Sequence, residues 1–402
     1  MNYIHPYLAY FLVTAAALVL SLFSVPRIIL IAKRKKLYDQ PDNDRKIHKE
    51  VIPNLGGIAI FFSTLIVSSF FVMPNENANW WHYMITSALI LFIIGLKDDI
   101  LILTAAKKFM AQILAAAIIV IFADIRLESL GGIMGIDQMP YLLSVCFSIT
   151  GIIFVTNAFN LIDGIDGLAG SIGAVSTLFF GVLLALQGNY NGACLAFALF
   201  GGIAGFLRFN HSPAKIFMGD SGSLFLGFTI AVLGILFINS FNSDHFLFNQ
   251  VVHSSQGALI IALSILFIPV FDSFRVFVMR IASGKHPFHA DRIHIHHYLL
   301  DLGLSHKRVV SVLMTTNFMI VFLAFLMQDF NPNITILSIL VFVIGLLGFL
   351  GIRRKAFMTK SFAETAAFDK LQEEMSSASA YITTPKKKAE KKESLPSMVA
   401  NH

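Results

Sequence analysis

Five short stretches hold most of the chemistry this chain could perform. The most telling is NAFNLIDGIDGLAG, residues 157–170. Asn157, Asn160, Asp163 and Asp166 recur every third residue, so a helical turn stacks their oxygens along one face. Gly164 and Gly167 free the backbone to bend towards a ligand. The stretch contains no Lys or Arg. Amide and carboxylate oxygens without a protein counter-charge suit a hard divalent cation such as Mg²⁺. The plain alternative is a Gly-capped helix end, but D-G-x-D-G is more specific than a routine cap requires.

KIFMGDSGSLFLG places Asp220 between Gly219 and Gly222, with Ser221 and Ser223 alongside. Gly-rich backbone at a helix start suits phosphate. An Asp there repels an anion unless a cation lies between them, which favours Asp220 as a metal ligand over a simple cap. GLKDDI supplies Asp98 and Asp99, followed by Lys107, Lys108 and Gln112. Adjacent acids beside an apolar run are costly unless solvated, protonated or neutralised by a cation. They read as a base or a metal-linked pair, against the plain reading of a solvated helix end.

YDQPDNDRKIHKEVIPNLGG combines Asp39, Asp42, Arg45, Lys46 and His48 with a Pro53–Gly57 turn. It reads as an anion site in which Arg and Lys face phosphate oxygens, or as simple basic anchoring. HPFHADRIHIHHYLLDLG holds His286, His289, His294, His296, His297 and Arg292. Clustered His suggests zinc, but no Cys accompanies it and the other stretches are oxygen-rich. His and Arg beside a pyrophosphate is the better reading.

The elements that carry these stretches are apolar. Of 402 residues, 56% are hydrophobic and 13% charged, about half the charge of a soluble chain. This excludes an ordinary soluble enzyme, a disulfide scaffold and a disordered regulator. Cys146 and Cys194 lie in apolar runs, have no metal spacing and imply no disulfide. A net charge of +6 is not a nucleic-acid-binding balance.

A membrane crossing needs about 20 mainly apolar residues. Eleven spans are expected, near 6–32, 55–73, 82–96, 109–123, 141–160, 168–187, 192–207, 222–241, 255–279, 309–327 and 334–352. The third and fourth are short and should extend into their flanks. Pro269 should kink or break the ninth. The first is too long for a signal peptide, and no basic region precedes it. The odd-numbered loops and the tail hold 27 Lys and Arg, while the even-numbered loops hold Arg126 alone. By the positive-inside rule the N-terminus lies outside and the C-terminus in the cytoplasm. All five stretches then share the cytoplasmic face. The fold class is all-α, a polytopic membrane helical bundle over residues 1–352. Residues 353–402 form a basic tail expected to be disordered.

DRKIHKEVIPNLGG, GLKDDI, NAFNLIDGIDGLAG, FMGDSGS and ADRIHIHHYL occur in this order between about residues 38 and 300. Together they resemble the signatures of the polyprenyl-phosphate N-acetylhexosamine-1-phosphate transferases, a glycosyltransferase 4 type of enzyme. The last stretch looks like the GlcNAc-type branch. The alternative is the phospho-N-acetylmuramoyl-pentapeptide branch, which usually shows an unbroken triple His, whereas Ile295 separates His294 from His296 here. Ile100-Leu101-Ile102 follow the acid pair, without the extra charge some members carry, so no role is transferred from that charge.

The resemblance implies a reaction between a UDP-N-acetylhexosamine and polyprenyl (undecaprenyl) phosphate that releases UMP. It would be the first membrane step of cell-envelope polysaccharide synthesis (lipopolysaccharide or cell wall) or of glycan synthesis, at the bacterial inner membrane. Mg²⁺, with Mn²⁺ as the alternative ion, would be held by Asn157 and Asp220 with Asn160 or Asp163. Asp98 or Asp99 would take the last proton of the lipid phosphate, whose pKa is about 6. Arg292, His294, His296 and His297 would bind the diphosphate or sugar. Lys46, His48 and Lys108 would contact phosphate, and Asp166 would read the nucleotide. A covalent aspartyl-phosphate route stays open beside direct attack. A homodimer is compatible with the sequence, which does not set the oligomeric state. A secondary transporter is the competing class, but its groups belong near the bilayer midplane rather than at one surface.

Overall fold

A computed structural model describes residues 5–37, 52–73, 79–101, 103–241, 246–284 and 293–354, with 356 and 372. The chain divides into two units, Met1–Gly348 and Phe349–His402. The first is a helical bundle. Among the described residues the only β pairing is the isolated bridge Ser129–Gln138.

The bundle is organised around α8, Gly219–Asn239. A helix that is apolar all round must sit inside a large bundle or face lipid. In α8 94% of the most apolar stretch is buried within the protein. It is enclosed by α2 (Gly56–Phe71), α3 (Trp80–Leu101), α5 (Tyr141–Ile162) and α6 (Leu168–Leu186). Outside these lie α1 (Pro6–Lys35), α4 (Ala105–Ala117, continued by a π-helical turn Ile118–Phe122) and α7 (Tyr190–Asn210). α9 (Phe246–Asn249) is a single turn. α10 (Ser255–Ile265) and α11 (Phe267–Ala282) form one broken element bent by 71°. α12 (Ile295–Asp301), α13 (His306–Met327) and α14 (Pro332–Arg354) complete the order.

All eleven expected spans fall on helices, and the two short ones lengthen into their flanks. Among the described residues, eight helices are long and apolar enough on their own to cross a membrane, or nine with the bent pair. Of the remaining expected spans, α2 is 16 residues long, and α3 runs 22 residues but ends in the charged Lys97, Asp98 and Asp99. On α14, Ile334, Leu337, Val341 and Ile344 are 57–62% exposed. Such a surface is stable only against lipid.

Lipid is as apolar as a Leu side chain, so close backbone approach and packing hold helices together there. A Cβ on Gly57 of α2 would lie 2.1 Å from the Gly222 nitrogen of α8. A Cβ on Gly95 of α3 would lie 2.6 Å from the backbone of Asp220 and Ser221. These glycines let three helices meet backbone to backbone. They meet where α8 begins, the end that bears Asp220.

The break expected near Pro269 is present. Pro269 occupies the first turn of α11, where its missing N–H leaves no gap in the ladder. The freed Ile265 carbonyl accepts from Ser176 Oγ at 3.4 Å and Asn317 Nδ2 at 3.3 Å. After the break, Phe274, Val278 and Ile281 face outward while Asp272, Val276 and Arg280 are buried. α11 also packs against α5.

Candidate active site

The acid pair at the end of α3 divides its work. Asp99 accepts from the backbone N–H of Asp220 at 2.6 Å and of Ser221 at 3.0 Å. A helix N-terminus leaves such donors unsatisfied and carries partial positive charge. Asp99 thus caps α8 from a neighbouring helix. Gly219 makes the approach possible, with φ +71° and no Cβ to strike the Asp99 carboxylate. Asp98 accepts from the Leu103 N–H at 2.5 Å and pairs with Lys108 Nζ at 3.0 Å.

Lys108 also pairs with Asp220 at 2.9 Å. Asp220 accepts from Asn160 Nδ2 at 2.9 Å, and the same amide donates to Ser223 Oγ at 2.9 Å. Asp163 stands one turn on, just past the end of α5. Dense surrounding protein, then the negative charges of Asp220 and Asp99, push its carboxyl well above the usual carboxylate range. Asn157, one turn back, is held by Gln112: Nδ2 donates to Gln112 Oε1 at 2.7 Å and Oδ1 accepts from Gln112 Nε2 at 3.2 Å.

The Pro53–Gly57 turn docks on the fourth stretch. Phe217 N–H donates to the Pro53 carbonyl, Gly56 N–H to Phe217 and Gly57 N–H to Met218, at 2.8–2.9 Å. Lys46 and His48, earlier in that loop, lie outside the described residues, as does Arg292. Asp166 accepts from the Ala214 N–H at 3.2 Å and lies 3.6 Å from His306 Nδ1. Asn210 accepts from the Gly167 N–H at 3.0 Å and donates to the Ile216 carbonyl at 2.9 Å.

These groups converge on one cavity of about 500 Å³, within the range of about 300–1,000 Å³ usual for small-molecule sites. Asp98, Asp99, Asn160, Asp163, Asp166 and Asp220 line it, with Asn54, Asn210 and His306. Lys108 reaches its wall through two ion pairs. Asn157, His294, His296 and His297 are not in the lining. Among the described residues, no three His, Cys, Asp or Glu side chains form a ready metal cage.

The histidines stand behind the cavity at Gly164. His296 packs so closely there that a Cβ on Gly164 would lie 2.9 Å from its Nε2. Its ring stacks on His294 at 5.6 Å and meets His297 at 4.3 Å. Burial, then the charge of His297, holds His296 down to about 4. It is neutral near pH 7, and its buried Nε2 has no hydrogen-bond partner among the described residues.

Nothing in the sequence marks Asn54, Asn210 or His306 for this site. Single polar residues next to apolar runs give no pattern to read. In the sequence Asp272 and Arg275 simply follow Pro269 in the ninth span.

Residues 81–238 match the family described as glycosyl transferase family 4. The chain is 32% identical to a probable undecaprenyl-phosphate N-acetylglucosaminyl 1-phosphate transferase of Bacillus subtilis, over 82% of this chain and 88% of that protein. It is 30% identical to the undecaprenyl-phosphate alpha-N-acetylglucosaminyl 1-phosphate transferase of Escherichia coli O157:H7, over 76% and 81%. It is 28% identical to the decaprenyl-phosphate N-acetylglucosaminephosphotransferase of Mycobacterium leprae, over 81% and 85%. Similarity over that extent includes α3 to α8 and the carboxylates between them, and this chain belongs to glycosyl transferase family 4.

Proposed function

We propose that this protein transfers N-acetylglucosamine 1-phosphate from UDP-N-acetylglucosamine to a polyprenyl phosphate, releasing UMP. One observation carries the reading: carboxylates from three separated stretches and one lysine meet at a single end of an apolar helical bundle. A lipid acceptor cannot leave the bilayer and a nucleotide sugar cannot enter it. The reaction belongs where the two phases meet; the Lys/Arg distribution supports the cytoplasmic face, and the bacterial relatives support a bacterial plasma membrane. The names of the relatives support both the acceptor and the sugar.

In this reading an oxygen of the lipid phosphate attacks the sugar-bearing phosphorus. The bond from that phosphorus to UMP breaks, and UMP leaves with the electron pair. Asp98 takes the last proton of the lipid phosphate, while Asp99 fixes the start of α8. Lys108, with Lys46, His48 and Arg292 from the loops, faces phosphate oxygens. Asp166 and His306 line the side open to the nucleotide.

The oxygen donors fit Mg²⁺, which typically binds through one or two carboxylates, waters and substrate phosphates rather than an all-protein cage. Asp220, with Asn160 or Asp163 beside it, would hold the ion. Asn157 would join them only on releasing Gln112. Bound there, Mg²⁺ (or Mn²⁺) would supply positive charge to offset that of the phosphate groups.

The test is UMP release by the purified protein in lipid nanodiscs with polyprenyl phosphate, Mg²⁺ and a panel of UDP-sugars. UDP-N-acetylglucosamine should support turnover. Turnover with UDP-N-acetylmuramoyl-pentapeptide alone, or with no UDP-sugar, would overturn the proposal. Label from the UDP-sugar that becomes protein-bound without lipid would establish the covalent route over direct attack.

A further inference from the structure

Asp272 lies in the second half of the broken span and is only 2% exposed. Its Oδ2 is 2.9 Å from His294 Nδ1. Its Oδ1 receives the Ile295 N–H at 3.1 Å and Arg275 Nη2 at 2.7 Å. Arg275 also donates to the Ile293 carbonyl. Two of its three partners lie 22 and 23 residues along the chain, and the third, Arg275, three residues on, reaches the same segment through the Ile293 carbonyl.

A carboxylate that receives a guanidinium and a backbone N–H is ionised and can only accept. The proton between Asp272 and His294 therefore sits on Nδ1, which leaves Nε2 at the far side of the ring as the exchangeable nitrogen. A carboxylate behind an imidazole commonly fixes tautomer and orientation together. The stacked rings of His294 and His296 lie 9° from parallel, and His296 closes on Gly164 at the cavity wall. The line from Asp272 to the cavity is continuous.

We propose that Asp272 is a positioning residue that holds His294 with its Nδ1 proton inward and so sets the paired rings that back the cavity at Gly164. α11 leaves the break at Leu266 to pack against α5, and on it Asp272 accepts from the histidine segment. The consequence for turnover rests on the transferase reading above, whereas the tautomer does not.

Two measurements on the full-length protein in nanodiscs test this. With ¹⁵N-histidine labelling, His294 should show a protonated Nδ1 in the unsubstituted protein, assigned by loss of its signals in His294→Asn. Asp272→Asn keeps the shape and the acceptor for Ile295, but it should lose that signature at His294. A His294 with unprotonated Nδ1 overturns the proposal even if Asp272→Asn does not fold and no donor sugar turns over.

The second measurement is a double-mutant cycle. Loss of a partner behind a working histidine typically costs about 10–100-fold, so Asp272→Asn should lower kcat/KM by about that factor. In a His294→Asn background the same substitution should change kcat/KM by less than about 3-fold, because its effect runs through His294. Equal losses in both backgrounds overturn the proposal and leave Asp272 a structural residue only. An inactive unsubstituted protein would count against the transferase reading and leave the tautomer result standing.

Discussion

Lys108 Nζ and Asp220 Oδ2 lie 2.9 Å apart across 112 residues of sequence, and the same ammonium reaches Asp98 at 3.0 Å. One cation thus neutralises carboxylates from α3 and α8. Lys108→Met should lower turnover by about 10²-fold, the scale for losing a charge-stabilising group. It should also tighten Mg²⁺ binding, because two carboxylates lose their competing cation. Isothermal titration with Mg²⁺ checks this, and weaker binding would contradict it.

Asp220→Asn should abolish most Mg²⁺-dependent turnover, again by about 10²-fold or more, while the protein still inserts and folds. Folding survives because Asp99 caps α8 through backbone N–H groups that the substitution leaves alone. Near-normal UMP release at saturating Mg²⁺ would contradict its assignment as ligand.

Asp163 gives a pH dependence. Its folded-state pKa is raised above 3.8 by burial and by Asp220 and Asp99. The stability it contributes is therefore full below 3.8 and is lost as pH rises through the raised value. A divalent cation relieves the cost of ionising it. Mg²⁺ binding should expel a proton and tighten with rising pH. Titrations in two buffers of different ionisation enthalpy measure the release, which Asp163→Asn should abolish.

His296 has the opposite sign. Its value falls from 6.5 to about 4, so its contribution is full above pH 6.5 and is lost as pH falls through 4. Thermal melts in nanodiscs should drop between pH 7 and pH 4, and His296→Gln should flatten that drop.

Gly95→Ala tests the meeting of α3 and α8. The new methyl group would face the Asp220 and Ser221 backbone at 2.6 Å, which no side-chain rotation relieves. Overpacking of this kind costs about 1–3 kcal/mol, and it should separate Asp99 from the α8 amides. Both melting temperature and turnover should fall. An unchanged melt would show that the helices can shift freely.

Much of this was legible in the chain itself. Long apolar runs fix the helices because backbone groups in lipid must be satisfied within the segment. Pro269 marked the break, and the three-residue spacing from Asn157 to Asp166 placed oxygens on one face. The pairings were not legible. Asn157 and Asn160 have the same residue type and period, yet one is bound to Gln112 and the other to Asp220. Which neighbour each meets depends on how α4 and α8 lie beside α5. Asp272 was hidden for the same reason, since a lone acid after a proline looks like part of a kink until His294 folds back over it.

Asp220 sits at the start of α8, a helix enclosed by its neighbours and wedged by glycines against two of them. Such a mount has almost no slack. The loops around it can change while the mount stays fixed, much as one anvil serves many different tools.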